Sequence, residues 1–398
     1  MADQGIFSGT SFLVTILMAH MLLPEEFGVY ASIVMFIYLV ISLLNAIVIQ
    51  PLQVSLARVK NHKSYISFSF WLQVVFLILF AGISVFILSL NLQFLEIYNP
   101  IMWPILTFMC SMVFHDYFRK LFLARAQTQF ALIIDMLSAI SYLVVITISY
   151  LGDNIHLSDI LTMFALGYLP GIIWGSTKIT PGKISVADLH EYISMHYSQS
   201  KWLVMTSMVQ WWSTNLFVVA SGVFIGLKAL GAFRLVQSVF GVFNMLLQTF
   251  ENYILPQTSR LMVSSQKEAG TYLKNISLKS SLLVGIILLG TFVFAKPIII
   301  LAGGTQYSEF YYVVQGMSVL YGLIFLGYPV RLAIRALVLN KHFFIAYLFS
   351  LVISLSTFNI LLDKLELTGA IIGLIISQLV LIIYWQSILI KRNFILWK

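Results

Sequence analysis

The sequence predicts an all-α polytopic membrane protein of about twelve transmembrane helices in two six-helix bundles. Three observations carry that expectation: composition, the spacing of apolar runs, and the placement of basic residues between them. Of 398 residues, 60% are hydrophobic and 10% are charged, with mean hydropathy +0.94. Soluble globular chains are roughly 45–50% apolar and 25% charged, so this chain has too few charges to cover a surface in water. A crossing takes roughly 20 apolar residues, and the apolar content is enough for about twelve.

Apolar runs between polar punctuation place the span cores, in order, at 5–22, 29–50, 67–90, 101–118, 131–151, 158–176, 202–224, 229–252, 280–302, 310–330, 342–362 and 368–390. The first is short and contains His20. The second is a long apolar run closed by Pro51. The fourth ends in the crowded stretch His115-Asp116-Tyr117-Phe118-Arg119-Lys120, and Gly303-Gly304 forms a turn before the tenth. The expected organisation is a six-helix bundle over 1–176, a linker over 177–201 and a second six-helix bundle over 202–398.

Charge orients these spans. With the N-terminus inside, 19 of the 23 Lys and Arg fall on the inner side, among them Arg58, Lys60, Lys63, Arg260, Arg331, Arg335 and Lys391; Lys228, Lys296 and Lys364 fall outside. Excess basic residues mark cytoplasmic loops, so both termini are expected to be cytoplasmic. The formal net charge of +8 is therefore read as topology, with no call for a nucleic-acid partner. The remaining basic residue, Arg234, stands within the eighth predicted span.

No outer loop exceeds about a dozen residues, which argues against a polymerase or glycosyltransferase built on a large external loop. The linker holds Pro181-Gly182, His190, Glu191 and His196 and reads as a short amphipathic helix at about 185–197. His190 and His196 stand six apart, a poor ligand spacing on a helix, and no metal is expected. The single cysteine, Cys110, offers no internal disulfide and no CxxC motif. The first apolar stretch lacks a basic n-region, so no cleavable signal peptide is predicted. No Gly-rich phosphate loop with Lys is present; neither ATP, another cofactor nor a catalytic constellation is expected.

The halves repeat each other. Gly28 corresponds to Gly231, Pro51 to Pro256, Ser8 to Ser213 and Phe12 to Phe217, at offsets of 203 to 205. Six helices per half give both halves the same orientation, a parallel repeat like that of one class of secondary transporter.

The stretch Leu22-Leu23-Pro24-Glu25-Glu26-Phe27-Gly28-Val29-Tyr30-Ala31, with Asp3-Gln4-Gly5-Ile6-Phe7-Ser8-Gly9-Thr10 before it and Gly231 with Arg234 through Pro256 in the second half, resembles the polysaccharide and O-antigen flippases of the multidrug/oligosaccharidyl-lipid/polysaccharide exporter superfamily. The resemblance covers most of the chain. It implies two six-helix bundles around a V-shaped cavity, a bacterial cytoplasmic membrane, and transfer of undecaprenyl-diphosphate-linked oligosaccharide to the outer leaflet by alternating access. A polysaccharide polymerase and a chain-length regulator are implied as possible partners. Relatives usually carry more residues before the Asp-Gln pair. The alternative reading is a cation- or proton-coupled multidrug exporter of the same fold, followed by a membrane polysaccharide polymerase.

Ionised side chains are costly inside a bilayer and usually face a cavity or a partner. Arg234 lies near the outer side of the eighth span; it either faces a cavity, where its paired donors suit phosphate, or snorkels to the interface. The resemblance implies cavity arginines that hold the diphosphate. Gln210, Trp211 and Asn215 on the seventh span, and Asn244 and Gln248 on the eighth, are candidate sugar contacts, against ordinary interhelical packing. Asp135 is expected either to pair with Arg119 or Arg125 or to serve in coupling. Asp116 is expected to pair with Arg119, and Glu251 to neutralise Arg260 or to serve in gating. Asp3 sits at the inner mouth of the first helix and completes the coupling candidates. His20 and His115 read as isolated packing residues.

Overall fold

The computed structural model describes residues 2–56, 59–151, 156–394 and 396; the side chains of 2–4, 7, 249, 250, 252 and 263 lie outside that description. Among the described residues the structure is helical, with no strand. The longer helices are α1 (Ala2–Met21), α2 (Pro24–Ser55), α3 (His62–Ser89), α4 (Met102–Ala124), α5 (Thr128–Leu151), α6 (Leu157–Thr177), α7 (Val186–Phe224), α8 (Leu227–Ser264), α9 (Gln266–Val293), α10 (Ala295–Gly303), α11 (Tyr311–Ala336) and α12 (Asn340–Lys391).

Nine helices among the described residues are long and apolar enough to cross a membrane. One of them, α12, carries the last two predicted spans, which part at Glu366, where φ is 48°. The first span lies in α1, whose apolar part is only Ser8–Met21. The seventh lies in α7, diluted by Gln210, Trp211, Trp212, Ser213, Thr214 and Asn215. The ninth expectation needs correction: 280–302 straddles a break between α9 and α10. Pro297 cannot donate to the Val293 carbonyl, and its ring crowds it, so α9 ends at Val293. That helix instead begins at Gln266, where the Ser265 side chain caps the Glu268 N–H at 3.3 Å.

Burial is inverted relative to a soluble helix. On α3, Ser64, Ser67, Ser69 and Gln73 are buried while Trp71, Val75, Ile78 and Phe86 are exposed. On α9, Leu282, Leu283, Ile286 and Leu289 are exposed. Apolar side chains on the outside and small polar ones packed within is the arrangement a lipid solvent favours.

The chain divides into two compact units. One holds the residues through Leu17 with Val29–Met208; the other holds Met18–Gly28 with Val209–Lys398. The first unit packs Tyr65, Phe68, Tyr117, Phe118, Phe122 and Ile134 into one core, joined by Tyr192 of α7. The predicted helix at 185–197 is thus the start of α7, not a separate element. Its docking follows from Pro51. Proline has no N–H, so the Ile47 carbonyl four residues back loses its helical donor, and a π turn runs over Asn45–Ile49. Ser200 Oγ donates to that carbonyl at 3.0 Å and His196 Nδ1 at 3.2 Å. Nδ1 therefore carries the proton, and His196 Nε2 accepts from the Tyr65 hydroxyl at 2.7 Å. Burial pushes the His196 pKa below its ordinary value, against the smaller opposing effect of the Ile47 bond.

In the second unit the loop between α1 and α2 is pinned by Gln306 Nε2, which donates to Ala19 O at 2.8 Å, and by His20 Nε2 on Leu301 O at 3.0 Å. His20 is thus a tether. Gly28 and Gly231, matched across the repeat, lie against each other. A Cβ on Gly231 would stand 3.1 Å from Gly28 N, and one on Gly28 would run into the Leu227 carbonyl. The glycines let two equivalent helix starts cross at backbone contact.

Candidate substrate cavity

Within the second unit α7, α8, α11 and α12 enclose a cavity of about 480 Å³. Its polarity comes from helical periodicity. On α8, Arg234, Gln237, Asn244, Gln248 and Glu251 line it; steps of three, four or seven residues keep them on one face. On α11, Met317, Tyr321, Ile324, Tyr328 and Arg331 repeat the pattern from the facing wall. Helix α12 adds Tyr347, Ser350, Ser377, Gln378 and Trp385, and α7 adds Ser213, Thr214 and Asn215.

The side chains are braced. Arg234 Nη1 donates to Gln237 Oε1 at 2.9 Å. Asn244 Nδ2 donates to the Tyr321 hydroxyl at 2.8 Å, and the Tyr321 ring stacks on Phe240 with centroids 4.7 Å apart. The Tyr328 hydroxyl reaches both Leu247 O at 2.5 Å and Glu251 Oε2 at 3.0 Å. Glu251 Oε1 pairs with Arg335 Nη1, and Oε2 lies 3.9 Å from Arg331 Nη2. Trp385, 1% exposed, stacks on Phe343 with centroids 5.3 Å apart. Ser213 donates to Ser350 at 2.9 Å, and Ser354 and Ser377 lie 2.7 Å apart, so small residues hold α7 and the two halves of α12 close together.

The sequence-predicted residues divide accordingly. Arg234, Asn215, Asn244 and Gln248 line this cavity, with Glu251 beside them. Gln210 and Trp211 do not line it. Trp211 packs edge-on to Trp212 at 5.2 Å, and Asn215 spends its amide on the Trp211 carbonyl at 2.9 Å. Glu251 pairs with the arginines of α11 rather than with Arg260. Nine residues turn an α-helix through two and a half turns, which puts Arg260 on the opposite face. Asp135 lies in the first unit, buried, taking Arg119 Nε at 2.9 Å and standing 3.5 Å from His115 Nε2. Asp116 is bonded to Lys120 at 2.8 Å, one turn on. The Asp3 side chain lies outside the described residues.

Sequence reasoning missed Arg331, Tyr321, Tyr328, Gln378 and Trp385. Arg331 and Arg335 were counted as inner-loop charges because they follow the predicted tenth span. The available signal was their spacing: Tyr321, Tyr328, Arg331 and Arg335 share one helical face.

Two compact units built of membrane-length helices define a multi-pass membrane protein, and one of them encloses a polar cavity lined by arginines. The polysaccharide biosynthesis protein family model matches residues 17–312, and the chain belongs to that family. Among solved structures, it is similar to an inward-facing multidrug resistance MATE family transporter of the MOP superfamily, with TM-score 0.74 at 12% identity over 98% of this chain and 94% of that one. It is also similar to the lipid II flippase MurJ in an inward closed conformation, with TM-score 0.70 at 12% identity over 98% and 86%. An outward-facing MATE family transporter gives TM-score 0.65 at 14% identity over 98% and 93%. These likenesses show the exporter fold that the sequence predicts. A search of curated proteins gives no match in sequence.

Proposed function

We propose that the protein flips an undecaprenyl-diphosphate-linked oligosaccharide, an O-antigen or related surface-polysaccharide unit, from the inner to the outer leaflet of a bacterial cytoplasmic membrane by alternating access. The observation that carries this reading is the polar stripe of α8 and α11. It sets Arg234 and Arg331 among amides, hydroxyls and aromatic rings. Guanidinium groups suit phosphate oxygens, amides and hydroxyls suit sugar hydroxyls, and aromatic faces suit the C–H faces of sugar rings. Arg234, Asn215, Asn244 and Gln248 are assigned to substrate, and both termini to the cytoplasm. A negative-inside potential favours exit of an anion by about 2.3 kcal/mol per charge per 100 mV. Asp135 is assigned to structure, and Glu251 to gating. A polymerase and a chain-length regulator would receive the flipped unit.

A cation- or proton-coupled drug exporter of the same fold is the competing reading. It favours an acidic cavity, whereas here the lining carboxylate, Glu251, is already matched to arginines. The test is deletion of the gene. Loss of surface glycan with build-up of lipid-linked units facing the cytoplasm supports the flippase. Intact glycan with drug sensitivity supports the exporter.

A further inference from the structure

The cavity stripe carries cationic groups at two separated places. Arg234 and Glu251 are seventeen residues apart on α8, about 25 Å of helix at 1.5 Å per residue. Arg331 stands beside Glu251. One diphosphate cannot touch Arg234 and Arg331 together, and the side chains between them on α8 are uncharged: Gln237, Asn244 and Gln248.

The Glu251 end is incompletely satisfied. Arg331 meets Glu251 only at 3.9 Å, beyond hydrogen-bond range. Its Nε is buried and has no hydrogen-bond partner among the described residues; the same holds for the indole Nε1 of Trp385. Both residues line the cavity, and both pack on Phe343. Buried donors are ordinarily paired. Here two go unspent beside a carboxylate held more closely by Arg335 and by Tyr328.

We infer that this end is a second anion station, separate from that of Arg234, and that Glu251 stands in for the substrate's anion while the cavity is empty. Its ligand is an anionic group with several acceptor oxygens. Such a group takes Arg331 and the Trp385 N–H, displaces the Glu251 carboxylate from Arg331 and leaves it on Arg335. The substrate anion then passes from Arg331 along the uncharged amides to Arg234. The direction of that passage rests on the flippase reading; the station itself does not. The anion has two possible sources, the diphosphate of the lipid carrier or the carboxylate of an acidic sugar.

The full chain in lipid nanodiscs, titrated calorimetrically with inorganic pyrophosphate and separately with glucuronate at fixed ionic strength, tests the station. Glu251→Gln is expected to tighten binding of one probe at least about fivefold, the low end of ordinary coupling between two sites. The probe that gains identifies the source. Adding Arg331→Ala is expected to abolish the gain, and adding Arg234→Ala to leave it. Glu251→Ala, which also removes the stand-in charge, is expected to give a similar gain and serves if Glu251→Gln does not fold. The station is overturned if neither variant gains for either probe, or if the gain survives Arg331→Ala. A missing gain alongside the deletion phenotype removes the station alone. A clear gain with surface glycan intact after deletion removes the flippase reading alone.

Discussion

Removing the Asp135 carboxylate tests how the first unit is held together. Asp135 is fully enclosed, and Arg119, only 6% exposed, donates to it at 2.9 Å. Asp135→Ala takes from that guanidinium the carboxylate it donates to, and breaking a buried pair from one side costs about 3–5 kcal/mol. At roughly 2–4 °C per kcal/mol for units of 150–250 residues, the expected fall in Tm is about 6–20 °C. Cys110, the only cysteine, is half-buried five residues before His115. A fluorogenic thiol dye in detergent therefore reports unfolding of this unit directly. Asp135→Leu with Arg119→Met removes both charges and is expected to recover more than half of the loss, because an apolar pair of similar size often replaces a buried ion pair at little cost. If Asp135→Ala melts within about 2 °C of the parent, or the double variant melts as low as the single one, the pair does not hold the unit. The double variant also separates structure from coupling: a stable protein that restores surface glycan excludes an obligatory role for Asp135 in ion coupling.

Three further outcomes follow from the same structure. Gly28→Leu and Gly231→Leu are each expected to lower the yield of folded protein sharply, because either side chain enters the contact between the two helix starts; size-exclusion profiles check this. His196 is held neutral below its ordinary pKa of 6.5, so the unfolded chain binds its proton first. Stability should then fall as pH drops from about 6.5 toward the folded pKa and be insensitive to this group above about 6.5; melting curves of the parent against His196→Gln, with the slope flattened in the variant, check the sign. A cysteine at Glu25, in a Cys110→Ser background, is expected to react with an impermeant thiol reagent from outside the cell; reaction only from the cytoplasm reverses the topology.

Periodicity made the α8 wall of the cavity readable. Arg234, Asn244 and Gln248 are polar residues in an apolar run, and their spacing puts them on one face whatever surrounds them. The facing wall was hidden by an ambiguity in charge. A basic residue near a span's end reads as a loop residue under the positive-inside pattern, and Arg331 and Arg335 fit that reading while pointing inward to Glu251. Partners distant in sequence were also out of reach. Nothing local says that Glu251 meets α11, that Asp135, expected to pair with an arginine, also stands by His115, or that Trp385 lines the cavity. Pro51 read as a helix end; its effect is to free the Ile47 carbonyl, and only the fold shows that His196 and Ser200 take it. The repeat glycines were legible as a pair, but not as each other's contact.

The leaflet distribution of lipid-linked oligosaccharide tests the central claim most directly. In cells lacking the chromosomal copy, plasmid-borne parent, Arg234→Lys and Arg234→Ala forms are compared at matched expression. The inner-leaflet pool is measured by enzymatic access from the cytoplasmic side of inverted vesicles. The parent is expected to clear the pool, Arg234→Lys to clear it in part, and Arg234→Ala to leave it accumulated with surface glycan lost. An unchanged pool in the deletion strain, with surface glycan intact, would contradict it.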